Sequence, residues 1–253
     1  MEGKREVQKY ISYQAGNVPL ILSIPHGGTI KPKEILDRER GITGIDKGTI
    51  KIGTLLAEYL SKYSTSHLES QITPYYVIAK IARKKIDFNR KLKEACNHSS
   101  EIAKEIYKFY HQKLRTFIDK SLKTHKRSLL IDIHGFEKYK RPKGYRIVDV
   151  VLGTNNLKSI SPHQIPKKHR NKNIRGNLIN ELLKLDLSIA PAHSRRREYV
   201  LKGGYITSTY GASNIENSQS IQIEFSETIR IHNSELRHKV IKAIGKCIID
   251  EIM

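Results

Sequence analysis

Apolar residues fall along this chain in two recurring patterns: short unbroken runs, and longer stretches in which they return at helical spacing. Residues 19–24, Pro19-Leu20-Ile21-Leu22-Ser23-Ile24, form a run of strand length, and Ile52, Leu55, Leu56, Tyr59, Leu60 and Tyr63 follow on one helical face. The same pairing repeats. A strand is predicted over 75–81, then a long amphipathic helix through Ile102, Ile106, Tyr110, Leu114, Phe117, Ile118 and Leu122, with Ser99 or Ser100 as its N-cap. Further strands are predicted over 128–133, 147–152 and 220–225, a helix over 174–185, and a closing helix through Leu236, Val240, Ile244, Cys247, Ile248 and Ile252. Alternation of this kind predicts an α/β fold, three layers deep, with helices on both faces of a mixed, largely parallel sheet. The stretches 152–174 and 190–218 read as loops, rich in Pro, Gly, His, Arg and Ser, and long loops in a compact domain commonly carry function.

Composition narrows this picture. A chain of 253 residues, 38% hydrophobic and 28% charged, suits one globular domain spanning 1–253. Its apolar runs fall far short of the roughly 20 residues that cross a bilayer, and residues 1–6 lack a signal-type apolar stretch, so a cytoplasmic protein without membrane contact is expected. Two cysteines, Cys96 and Cys247, are too few for a disulfide framework and lack thiolate-zinc spacing, so any metal must be held by His and carboxylates. The net charge of +21 would attract anionic ligands over roughly 8–10 Å. Nucleic acid is one such partner, but no nucleic-acid motif or interleaved stacking platform accompanies the basic runs at 80–85, 138–146, 167–175 and 195–197.

Candidate chemistry lies where polar residues interrupt strand ends, the place where open α/β sheets bind ligands. His26 ends the first run and is followed by Gly27 and Gly28. Asp132 and His134 lie two apart on a strand and so face the same side, which suits a carboxylate that orients an imidazole. Glu224, with Gln222, faces away from Ile221, Ile223 and Phe225. Each alone is compatible with a structural role. Together they supply what a metal-dependent hydrolase needs, ligands that lower the pKa of water and a carboxylate that takes its proton. Arg90 offers a bidentate fork to a carboxylate, and Asn89 a donating amide.

The ordered series Pro25-His26-Gly27-Gly28, Asp46, Arg83 with Asp87-Phe88-Asn89-Arg90, Asp132-Ile133-His134-Gly135, Gly203-Gly204-Tyr205-Ile206-Thr207 and Gln222-Ile223-Glu224 resembles the motifs of the N-formylglutamate amidohydrolase family, over residues 18–230. The resemblance implies a phosphorylase/hydrolase-like α/β fold, distantly similar to zinc carboxypeptidases, and one zinc ion per chain. His26 and His134 would be ligands, Glu224 the base that activates water, and Arg83 a stabiliser of the oxyanion. Asn89 and Arg90 would hold a substrate carboxylate, and Gly203, Gly204 and Tyr205 would line the pocket. Thr29 stands where the carboxypeptidase pattern places a Glu ligand, which leaves Asp46 as the third ligand, with a helix N-cap as its other reading.

The implied reaction is hydrolysis of a small acidic N-acyl amino acid such as N-formylglutamate. Larger acidic amides, poly-γ-glutamate or a peptide, would use the same centre and are favoured by the basic loops; a tRNA- or nucleic-acid-directed hydrolase and a non-catalytic binding protein are further readings. The loop histidines His163, His169 and His193 read as surface residues.

Overall fold

In the computed structural model, residues 7–67, 71–140, 145–199 and 201–253 are described. Among them the chain forms β1 (Ile11–Gln14), β2 (Leu20–Ile24), α1 (Thr49–His67), β3 (Tyr75–Ala79), α2 (Leu92–Ala95), α3 (Glu101–His125), β4 (Ser128–Phe136), β5 (Val150–Gly153), α4 (Ile174–Leu183), β6 (Ile189–Ala190), α5 (Tyr205–Tyr210), β7 (Ser218–Ser226) and α6 (Ser234–Ile252). A 3-10 turn covers Lys167–His169 and a π-helical turn covers Thr228–His232. The sheet order is β1-β3-β2-β4-β7-β5-β6. Pairs β2–β3, β2–β4, β4–β7 and β5–β6 are parallel, while β1–β3 and β5–β7 are antiparallel.

Strand alternation divides the core into two layers. Leu20, Leu22 and Ile24 of β2, Leu129, Ile131 and Ile133 of β4, and Ile221, Ile223 and Phe225 of β7 pack with Ile52, Leu56 and Leu60 of α1 and with the buried stripe of α6. Ile21 and Leu130 face the other way, onto Ile106, Tyr110, Leu114 and Phe117 of α3. Helices therefore cover both faces, as the sequence predicts. Ser100 is the N-cap of α3, its Oγ accepting from the Ala103 N–H.

Differences from the predicted elements are local. The 75–81 strand stops at Ala79, the 147–152 strand starts only at Val150, and the 174–185 helix ends at Leu183. Asp149, just before β5, is tied sideways by its carboxylate to Lys138 and to the Ser188 N–H. The 190–218 loop contains α5, too short at six residues to display a helical period in sequence. β1 is a four-residue edge strand, and two-residue β6 is shorter than any periodicity can reveal. Among the described residues, no helix is long and apolar enough to cross a membrane.

The chain leaves β2 through α1 to β3 on one side, and returns through α3 to β4 on the other. β2 and β4 thus flank the point where strand order reverses, the position at which such sheets open a crevice beyond their carboxyl ends.

Candidate functional site

His26 follows the carboxyl end of β2, and His134 lies near that of β4. On the face turned toward α3, where Ile21 and Leu130 are apolar, the residues nearer the crevice are Ser23, Asp132 and His134. Glu224 of β7 is the direct register partner of His134. Asp46 comes from the segment before α1, its N–H donating to the His26 carbonyl at 3.0 Å.

Three donor atoms converge there. Nδ1 of His26 lies 3.1 Å from Nδ1 of His134, and Asp46 Oδ2 lies 3.5 Å and 3.4 Å from the two. Atoms on three corners of a tetrahedron around a metal with bonds of about 2.0–2.1 Å are separated by about 3.3–3.4 Å. The opposite edge of each imidazole meets a carboxylate: His26 Nε2–H donates to Asp87 Oδ1 at 2.7 Å and His134 Nε2–H to Asp132 Oδ2 at 2.9 Å. A carboxylate there favours the proton on Nε2, so in the neutral ring each Nδ1 can offer its lone pair to a metal ion at the cluster, while without one an Nδ1–H can face Asp46. His26, Asp46 and His134, all buried, could therefore hold a metal ion.

The carboxylates are themselves held. Asp46 Oδ2 accepts from the Gly135 N–H, and Arg83 bridges Asp46 and Asp87 through Nη1 at 3.5 Å and Nε at 3.0 Å. Asp132 Oδ1 accepts from Ser23 Oγ, whose oxygen lies 2.9 Å from Tyr110 OH. The carboxylate of Asp46 is thus directed at this cluster, while its carbonyl accepts from Thr49 at the start of α1.

Burial penalises the charge on Asp46, yet hydrogen bonds to His134 and His26 and their charge hold its carboxyl well below the ordinary range. Asp87 is held low in the same way, burial being outweighed by His26, Arg83 and Arg38. Burial also pushes the His134 imidazole down, but Asp132, Asp46 and Glu224 together hold it well above its ordinary value. Glu224 moves the other way: burial, with the Asp46 charge added, raises its pKa against the opposing effects of His134 and Gln222. The network sets four carboxylates, Asp46, Asp87, Asp132 and Glu224, against two guanidinium groups, Arg38 and Arg83. It favours additional positive charge at the point where the two Nδ1 atoms and Asp46 meet.

This centre opens into a cavity of about 610 Å³ whose lining includes Asp46, Arg83, His134, Gly135 and Glu224. Asn89, Arg90, Gly203 and Gly204 also reach it. Asn89 is buried and committed to its neighbours, its Oδ1 accepting from the Ile206 N–H and its Nδ2 donating to Gln222 Oε1 at 3.4 Å. Arg90 is exposed at the rim. A Cβ on Gly204 would lie 2.1 Å from Asn89 Nδ2, so glycine is what lets this loop close on the site, and Gly203 beside it has φ +100°. Tyr205 starts α5 with its ring against His111, away from the cavity lining. His163, His169 and His193 lie outside that lining too.

Sequence reasoning gave no role to Asp87, Gln222, Ser23 or Arg38. Gln222 accepts from the Gly204 N–H at 2.6 Å and donates to Glu224 Oε1 at 2.8 Å, so it ties loop to carboxylate. Its position one alternation before Glu224 was the available signal.

A family model described as N-formylglutamate amidohydrolase matches residues 97–229, just over half of the chain. The chain belongs to the N-formylglutamate amidohydrolase family. Among solved structures it is similar to the N-formylglutamate amidohydrolase of Ralstonia eutropha JMP134, with 16% identity, 96% of this chain and 98% of that chain covered, and a TM-score of 0.66. A gene product of Agrobacterium tumefaciens aligns at 13% identity over 97% of each chain, with a TM-score of 0.61. These are likenesses of fold. No curated protein matches the sequence significantly. As a member of an amidohydrolase family the chain is a hydrolase of amide bonds.

Proposed function

We propose that this amidohydrolase is zinc-dependent, with His26, Asp46 and His134 as ligands and Glu224 as general base, and that it acts on an N-acyl amino acid with an acidic side chain. The observation that carries the reading is the convergence of two Nδ1 lone pairs and one carboxylate oxygen within 3.1–3.5 Å, each imidazole backed by its own buried carboxylate. Oxygen and imidazole nitrogen donors in this number, leaving one side open to the cavity, suit a catalytic zinc site. Such an ion supplies Lewis-acid polarisation and makes water more acidic at neutral pH.

The remaining work belongs to the chain. Glu224 takes a proton from the attacking water as the carbonyl carbon gains its new oxygen. It then passes the proton to the amine nitrogen as the C–N bond breaks, leaving an amine and a carboxylic acid whose remaining proton is lost to solvent. Its raised pKa brings proton affinity closer to that of the groups it serves. Gln222 holds its Oε1, leaving Oε2 for the reaction. Arg83, anchored by Asp46 and Asp87, stands at the cavity wall to favour developing negative charge. Arg90 at the rim supplies a fork for a substrate carboxylate.

Elemental analysis of wild type beside a His26→Ala, His134→Ala variant tests the ligands: about one zinc per wild-type chain and none in the variant are expected. Glu224→Gln should keep the metal and lose about 10²–10⁴-fold in kcat on N-formylglutamate or a related N-acyl amino acid. Ordinary turnover by that variant would remove Glu224 from the mechanism.

A further inference from the structure

A second cleft, of about 210 Å³, adjoins the cavity, the two sharing Val151 and Leu201 in their walls. Its basic side chains are Arg146, Arg196 and Arg197. Arg196 and Arg197 are exposed, and among the described residues neither lies within ion-pair distance of a carboxylate. The one acidic residue in the lining, Glu198, is spent internally. Its carboxylate accepts from Arg175 Nη1 at 2.7 Å, from the Thr154 hydroxyl, and from the N–H groups of Thr154 and Asn156. Arg196 and Arg197 therefore present positive charge beside the hydrolytic centre.

The sheet supplies a ruler between them. Glu224 on β7, Val151 on β5 and Ala190 on β6 are successive register partners in one row, on one face. Strands lie about 4.8 Å apart, so Ala190, in the wall of the second cleft, is about 10 Å from the Glu224 position. An extended peptide covers about 3.3–3.6 Å per residue, so about three residues span the gap.

Resting on the amidohydrolase reading above, we propose that the substrate is an oligomeric acidic amide: its reacting bond sits at Glu224, and carboxylates about three residues away dock on Arg196 and Arg197. Guanidinium forks match carboxylates in charge and shape. A nucleic acid would need successive stacking faces, and this cleft offers a single exposed ring, Tyr199. The cleft on the other side of Arg90 is less selective, because Glu39 and Glu94 are mixed there with Arg38, Arg40 and Lys93.

The test compares N-formyl-glutamate with N-formylated tri- and hexaglutamate at one fixed ionic strength. Affinity is read by calorimetry on the Glu224→Gln protein, and formate release is read on the protein with native Glu224. The hexamer should bind about 10-fold more tightly than the monomer, the order that two exposed charge pairs supply. An Arg196→Ala, Arg197→Ala variant should bring that ratio to about one. A Lys242→Ala, Lys246→Ala variant, which removes the same charge from exposed positions on α6, should keep it.

Equal affinity for all lengths, or a ratio that survives loss of both arginines, would overturn the proposal. So would a 12-nucleotide single strand that binds more tightly than hexaglutamate through the same two arginines. The two readings fail separately. Length-dependent binding without formate release from any probe would leave the cleft and remove the amide chemistry; equal kcat/KM on all lengths would leave the chemistry and remove the cleft.

Discussion

Replacing Asp132 by Asn isolates what a single buried charge does for the proposed metal site. Asp132 is fully buried, with Oδ2 accepting from His134 Nε2–H at 2.9 Å and Oδ1 from Ser23 Oγ at 2.7 Å. An Asn of the same shape can keep every partner. Its Oδ1 accepts from His134, its Nδ2 donates to Ser23 Oγ, the Ser23 hydroxyl turns to Tyr110 OH, and the Tyr110 hydroxyl donates to the Val77 carbonyl at 3.3 Å. No polar atom is orphaned and no volume is lost, so the fold should survive, with Tm within about 4 °C of wild type.

What changes is the electron density that the carboxylate lends to His134. Loss of such an outer-shell partner costs about 10–100-fold in metal affinity, or about 1.4–2.7 kcal/mol. Asp87→Asn would be a poorer probe, because Asp87 Oδ2 also accepts from Arg83 and Arg38 and neutralising it would leave the buried Arg38 guanidinium short of an anion and Arg83 with Asp46 alone. Competition against a chromophoric chelator at pH 7.5, on samples matched by circular dichroism, gives the affinity. An Asp132→Asn protein that binds zinc within about threefold of wild type would refute the argument that this pair tunes the ligand.

Two further outcomes follow from the same geometry. Glu224 has its pKa raised by burial, so below its unfolded value it is protonated in both states, and as pH rises through the folded value the wild type loses stability that a neutral side chain would keep. Metal-free Glu224→Gln should therefore melt about 2–4 °C above metal-free wild type at pH 8, the shift that roughly 1 kcal/mol gives, with the gap closing toward pH 4; a constant gap would show that charge is not its cause. Gly204→Ala places a Cβ 2.1 Å from the Asn89 amide, so it should cost about 1–3 kcal/mol in urea unfolding and lower kcat/KM by displacing Asn89 and Gln222, whereas an unchanged midpoint would mean the loop yields freely.

The sheet was legible because its strands carry their alternation openly: Leu20, Leu22 and Ile24, or Ile221, Ile223 and Phe225, could only face one apolar layer. The ends of those strands were legible for the opposite reason, since His26, Asp132, His134 and Glu224 break the apolar pattern. Asp87 was harder to assign. It sits in the Asp87-Phe88-Asn89-Arg90 motif, but only three-dimensional closure shows that its carboxylate meets His26, 61 positions earlier. Ser23 was hidden inside an apolar run, and its value to Asp132 depends on strand register alone. Asp46 had two roles open in sequence; the structure turns its carboxylate toward the imidazoles because Gly135 and Arg83 hold it there.

The row that carries His134, Glu224, Val151 and Ala190 also relates the proposed role of Arg196 and Arg197 to the sheet. A charge on a remote helix is screened from the centre within roughly 8–10 Å. Arg196 and Arg197 instead line a cleft whose wall is two strand spacings from Glu224, and Glu198 beside them is neutralised by Arg175. The buried Arg175–Glu198 pair is weak evidence for stability, because desolvating two charges offsets most of their attraction. Its more definite effect is positional. By fastening the 195–199 loop to Thr154 and Asn156, just beyond β5, it fixes two exposed guanidinium groups relative to the sheet row on which Glu224 stands.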